Sequence, residues 1–279
     1  MNEKELAALI SLLDDDDKEV VGLVEKKILS LGKEAIPFLE EAWHKTSMPN
    51  VQKKIEDLIH AMQFQTFRER LFNWVSRGGK DLLEGMWIIA TYSYPDLTYH
   101  EIRYQMEQLF YDIWIDFKEE MHPADKVKMF NNIFFGKFNF KANTKNFYSV
   151  SNSMLNQVLE TRTGNPISLC VVYMLLAQRL KMPIYGVNLP NLFILTYKDK
   201  NIQFYINTFN RGLIFTRQDV ESYIKHLNLA HDESYYEPCS HIDIIRRTLK
   251  NLILSYEKIG DLMRMEEIQS VLDEMEVIS

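Results

Sequence analysis

The run Leu169-Cys170-Val171-Val172-Tyr173-Met174-Leu175-Leu176-Ala177-Gln178-Arg179-Leu180 limits what this chain can fold into more than any other stretch. It reads as a helix that is apolar nearly all round, and such a helix lies inside a domain rather than on its surface. Asn165-Pro166 marks its start: an Asn side chain caps free backbone N–H groups, and Pro at the first helical position lacks only an N–H that has no partner there. Met182-Pro183 ends it, so the predicted helix covers Ile167 to Lys181. Three short apolar runs follow, IYGVNL, LFILTY and IQFYIN, the last two joined by the turn Lys198-Asp199-Lys200-Asn201. They read as strands. The expectation is a buried helix packed on a small antiparallel sheet.

Around that core the pattern is helical, which makes the fold class α+β and mostly helical. Leu6, Leu9, Ile10 and Leu13 share one helical face, Val20, Val21, Val24, Ile28 and Leu31 the next, and Gly32 closes the second helix. A second pair opens at Ala35-Ile36-Pro37, turns at Met48-Pro49-Asn50 and returns through Val51, Ile55, Leu58 and Ile59. These pairs resemble HEAT repeats, whose hairpins stack into a curved surface. Two repeats are few, so docking against the next domain is expected. The acidic run Asp14 to Asp17 fits a turn capping the helix that begins near Lys18. After a break at Arg77-Gly78-Gly79-Lys80, helices are predicted over Leu82–Tyr92, Tyr99–Phe117 and Lys126–Phe135, with Trp87, Phe110, Trp114, Phe134 and Phe135 assigned to their core. A further helix covers Arg217–Leu227, and two amphipathic helices split at Gly260-Asp261 fill Ile242–Met275. The polar stretch from His231 to His241 reads as a linker. The expected divisions are residues 1–75, 76–235 and 236–279.

Ordered motifs carry a more specific resemblance. The sequence N-S-M-L-N-Q-V-L-E-T-R-T-G-N-P-I-S-L (Asn152 to Leu169), then Tyr173, Ala177, Pro183, Gly186-Val187, L-P-x-x-F (Leu189 to Phe193) and F-N-R-G (Phe209 to Gly212), resembles the bacterial transglutaminase-like proteins. The likeness begins near E-G-M-W-I-I-A (Glu84 to Ala90) and covers about half of the chain. It implies a papain/transglutaminase-like core followed by a C-terminal tetratricopeptide-like hairpin, for which Leu249, Leu252, Tyr256, Gly260 and Asp261 supply the pattern. It also implies three catalytic positions: a Cys at the helix start, a His on the second strand and an Asp on the third. Such a thiol is activated by the helix N-terminus and a neighbouring His, which the carboxylate orients. In this chain those positions hold Pro166, Leu192 and Asn207. None of the three is a nucleophile, a proton acceptor or a carboxylate.

The expectation is therefore a non-catalytic, degenerate transglutaminase-like scaffold that binds a protein or peptide, with Asn165, Pro166, Leu192, Phe193, Tyr205 and Asn207 as candidate cleft residues. Cys170 lies one turn inside the helix between Leu169 and Val171, where burial raises a thiol pKa, so it reads as a core cysteine. The competing reading is a hydrolase or acyl-transferase with a relocated site built from Cys170, or from Cys239 with His241. No cofactor is expected. The residues of His231–His241, and His100, Glu101 and His122, lack metal-ligand spacing, so no metal site is expected. A net charge of −7 disfavours nucleic acid as a partner. Two cysteines in 279 residues are too few for a disulfide framework. With no apolar run of membrane-spanning length and no signal-peptide pattern at MNEKELAALI, the expected location is the cytoplasm and no membrane partner is expected.

Overall fold

A computed structural model describes residues 3–117 and 120–278, apart from the side chains of Glu3, Lys4 and Ile278. Met1, Asn2 and Ser279, at the ends of the expected first and last segments, lie outside the described residues. The fold is mostly helical with two small sheets. Two compact units are present, Met1–Phe72 and Asn73–Ser279.

The first unit is helical throughout: α1 (Glu3–Ser11), α2 (Lys18–Leu29), α3 (Ile36–Lys45) and most of α4 (Pro49–Ser76). Asp17 caps α2 by accepting from Glu19 N, which gives the acidic run its local role. The apolar stripes read from the sequence meet in one cluster that includes Leu6, Leu13, Val24, Ile28, Leu39, Ile55 and Leu58. Burial of that stripe, rather than helix propensity, holds such short helices.

In the second unit, α5 (Leu82–Thr91), α6 (Tyr99–Trp114), α7 (Pro123–Asn131) and α8 (Leu155–Thr161) precede the core helix α9 (Pro166–Arg179). The four-stranded antiparallel sheet follows in simple meander order: β3 (Ile184–Leu189), β4 (Leu192–Lys198), β5 (Gln203–Asn207) and β6 (Leu213–Phe215). Earlier in the chain β1 (Lys141–Ala142) pairs in parallel with β2 (Thr163–Gly164). The chain ends in α10 (Arg217–His226), α11 (His241–Ile259) and α12 (Leu262–Ile278). The fourth strand and the β1/β2 pair are additions to the sequence expectation: at two and three residues they are too short for a period of two to register.

Both faces of the sheet are covered. Helices α9 and α11 pack on one, while α10 and the turn Glu233–Tyr236 pack on the other. That turn lies inside the stretch read as a linker, and its Tyr236 is only 1% exposed. The linker assignment is therefore corrected: Asp232 caps the turn, Glu233 pairs with Arg217 and Glu237 with Lys198, so the polar side chains hold a packed segment in place. Trp114 is a second correction, being 61% exposed, whereas Phe134 and Phe135 are buried as expected of core aromatics. Trp114 sits at the last turn of α6, where the buried stripe Ile102, Met106, Leu109 and Ile113 has already been completed. Among the described residues no helix is long and apolar enough to cross a membrane.

Candidate functional site

The start of α9 is fixed by a closed set of hydrogen bonds. Asn165 Oδ1 accepts from Ser168 N at 2.9 Å, and Ser168 Oγ accepts from Asn165 N at 3.1 Å, a reciprocal capping box. Asn165 Nδ2 donates to Ser153 Oγ at 2.9 Å, which ties the cap to the preceding turn. The approach is so close that a Cβ on Gly164 would lie 2.4 Å from Ser168 Oγ, so the T-G-N-P-I-S motif has a direct steric meaning. A cleft of about 280 Å³ opens beside this helix start. Asn165, Pro166 and Ile167 form one wall, Asn191 and Phe193 of the β3–β4 hairpin another, and the exposed rings of Phe147 and Tyr148 a rim. Helix α11 closes it with Arg247, Asn251, Leu254 and Ser255.

Of the six expected cleft residues, three line this cleft: Asn165, Pro166 and Phe193. Leu192 and Tyr205 require correction. Both belong to an apolar cluster with Val187, Ile194, Val220, Ile224 and Tyr236 on the other face of the sheet, and the Tyr205 hydroxyl donates to the Tyr236 carbonyl at 3.1 Å. Strand alternation is the reason, since neighbours such as Leu192 and Phe193 point to opposite faces. Asn207 does not line the cleft either: its Oδ1 accepts from Asn210 N at 3.1 Å and caps the turn Thr208–Asn210. Pro166, Leu192 and Asn207 are thus not gathered around one cavity. The residues that sequence reasoning missed are Ile167, Asn191, Phe147, Tyr148, Arg247, Asn251, Leu254 and Ser255. The last four carried a signal, recurring at helical spacing along one side of α11; the two aromatics in the preceding loop carried none.

Neither cysteine presents a thiolate. Cys170 is fully buried, with Sγ 3.0 Å from Thr208 Oγ1 and 3.7 Å from the Phe193 carbonyl that it donates to. Burial pushes its thiol up to about 12, with the Thr208 hydrogen bonds acting in the opposite direction. Cys239 is likewise pushed up to about 12, first by burial and then by the Asp243 carboxylate. The relocated dyad gains no support from His241: among the described residues no hydrogen bond joins it to Cys239, and its Nδ1 lies 3.0 Å from the Lys80 carbonyl and 3.2 Å from that of Gly79. The other histidines and acids considered for metal have local tasks: His122 caps α7 through Ala124 N, and Glu101 completes the cap of α6 with Thr98. Among the described residues no group of three His, Cys, Asp or Glu side chains is placed to hold a metal ion.

A buried helix with a capped start, laid on an antiparallel sheet and bordering a cleft at that start, defines a transglutaminase-like core. Residues 100–250, just over half of the chain, match the family described as the transglutaminase-like superfamily, and the chain belongs to that superfamily. A UPF0162 protein of Xylella fastidiosa is 32% identical over 133 residues, 46% of this chain and 47% of that protein. A UPF0162 protein of Vibrio cholerae is 21% identical over 145 residues, 52% of this chain and 53% of its own length. F-box only protein 21 of Mus musculus is 31% identical over 109 residues, 36% of this chain and 17% of that protein. The chain spans about half the length, or less, of the first curated relatives that it matches. No solved structure matches.

Proposed function

We propose that this protein is a non-catalytic member of its superfamily that binds a peptide segment of a protein partner in the cleft beside Asn165-Pro166. The observation that carries the reading is the occupant of the helix start: Pro166 stands where a nucleophilic thiol would need to be, and both thiols of the chain are raised rather than lowered in pKa. Losing both nucleophile and general base removes what turnover at such a site depends on, since general acid–base catalysis alone contributes roughly 10²–10⁴-fold. Binding needs neither. A concave, largely apolar surface with a few polar side chains suffices for recognition. In this reading the HEAT-like helices of residues 1–75 and the tetratricopeptide-like helices of residues 236–279 are scaffold surfaces flanking the core of residues 76–235. Free cysteines suit action in the reducing cytoplasm.

Two measurements test the reading. The native protein is treated with an iodoacetamide-alkyne thiol probe and assayed for amine incorporation into casein, beside Cys170→Ala and Cys239→Ala. The expected result is no rapid labelling and no turnover; turnover in the wild type that disappears in either variant overturns the non-catalytic reading in favour of a relocated site. For binding, random octapeptide display libraries are panned against the full chain and against Leu254→Trp, which fills the cleft from an exposed position. Peptides recovered with the wild type and lost with Leu254→Trp are expected. Recovery of none would remove peptide binding at this cleft.

A further inference from the structure

The cleft contains an unspent cation. Arg247 is partly buried in α11, and among the described residues the one hydrogen bond its guanidinium makes is a long one, 3.4 Å, to Asn188 Oδ1. Among the described residues it has no carboxylate partner, whereas the adjacent Arg246 pairs with Asp243, and Lys250 with Glu276. Withdrawing a guanidinium from water without an anion is unfavourable, and burial lowers its proton affinity accordingly. One turn further along α11 Asn251 also lines the cleft, and its side-chain amide makes no hydrogen bond among the described residues. The exposed rings of Phe147 and Tyr148 line the same cleft.

Resting on the peptide-binding reading above, we propose that Arg247 selects the occupant: the cleft takes an extended peptide in which an Asp or Glu side chain pairs with Arg247 while a neighbouring apolar side chain sits against the exposed Phe147 and Leu254. Charge complementarity decides the acid, because the guanidinium fork matches a carboxylate with two parallel hydrogen bonds. The position of Arg247 decides that the acid is internal rather than a chain end. Arg247 also lines a second depression, of about 400 Å³, shared with Asn188, Asp243, Arg246, Lys250 and Glu276, so a bound chain continues past it on both sides. Asn251 then offers its amide to the peptide backbone.

Two octapeptide libraries distinguish the outcomes, one fused at both ends and one ending in a free carboxylate, each panned on the full chain of the wild type, Arg247→Gln and Arg247→Glu. The expected result is enrichment, from the doubly fused library, of peptides with an acid beside an aromatic or aliphatic residue. Labelled copies of those peptides should lose affinity about tenfold or more on Arg247→Gln, the scale of one charge-assisted hydrogen bond. Arg247→Glu should select Lys or Arg in the same place. Peptides that depend on the cleft but show no acid preference, or whose affinity Arg247→Gln leaves unchanged, overturn the role of Arg247 while leaving peptide binding intact. Binders from the free-carboxylate library alone overturn the internal acid. Binders from neither overturn both readings. Should Arg247→Gln unfold, as read by its thermal transition, Arg247→Lys serves instead: it keeps the charge but not the fork, and the same loss of affinity is expected.

Discussion

Cys170 shows how one residue changes meaning with its surroundings. The same thiol at the first position of α9 would sit in the field of the helix N-terminus; one turn inside, it faces Thr208 and the Phe193 carbonyl and stays protonated. Neither Cys170 nor Cys239 should react rapidly with a disulfide reagent at pH 8, and both should react once urea unfolds the chain; fast reaction of either native thiol would contradict the burial. The pH consequence has a definite sign. A thiol raised from 9.0 to about 12 favours the folded state below pH 9, and that contribution is lost as pH climbs toward 12, because the unfolded chain releases its proton first. The melting temperature should fall between pH 9 and 11, and fall less steeply in the Cys170→Ala, Cys239→Ala double variant. Gly212 is a second residue-scale constraint. Its φ of +74° lies in the left-handed region, and a Cβ there would stand 2.1 Å from Asn131 Oδ1, the atom that accepts from the Tyr173 hydroxyl. Gly212→Ala should lower stability by roughly 2–4 kcal/mol in urea titration, combining backbone strain with a broken hydrogen-bond network.

Among the elements, α9 was the most legible and the short strands β1, β2 and β6 the least. Asn-Pro followed by an apolar run defines the helix start locally, and the observed span Pro166–Arg179 follows from it. Asn165→Ala removes the acceptor for Ser168 N and strands the Ser153 hydroxyl inside the protein. A loss of roughly 2–3 kcal/mol is expected by chemical denaturation, against about 1 kcal/mol for an ordinary exposed cap. The strands β3, β4 and β5 were visible as apolar runs, but both faces of the sheet are covered, so their residues do not alternate between apolar and polar. That is why Leu192 and Tyr205 could be assigned to the cleft when they belong to the opposite cluster: the residue types do not distinguish the two faces. Trp114 was misplaced for a related reason, since helical spacing identifies a stripe but not the turn at which its partner ends.

In the molecule as a whole, α11 joins what the sequence separates by many residues. Ile244, Ile245, Leu249, Leu252 and Tyr256 are buried along it, and the helix packs on α5, α9 and β3 within the unit Asn73–Ser279. Burying five such side chains stabilises that unit by roughly 7–15 kcal/mol before conformational entropy is subtracted, comparable to the net stability of a domain. A chain truncated after Glu237 should therefore lose the cooperative unfolding transition of the core. In native-state hydrogen exchange, amides of Leu249 to Tyr256 should be protected to the same level as those of Val171 to Ala177. Markedly faster exchange in α11 would mean that the C-terminal helices unfold separately from the core.

The sequence by itself determined the local events: where α9 begins, where the strands run, which helices carry an apolar stripe, and that the position at the start of α9 holds no thiol. These follow from capping, proline geometry and periodicity, which act over a few residues. Only the tertiary structure decided which of those residues meet. The cleft brings together Phe147, Asn165, Phe193 and Arg247 from four separate segments, and the sheet sends Leu192 away from its neighbour Phe193. The physical reason is that a side chain's surroundings depend on which face of an element is covered and by what, and that is set by packing between residues far apart in the chain.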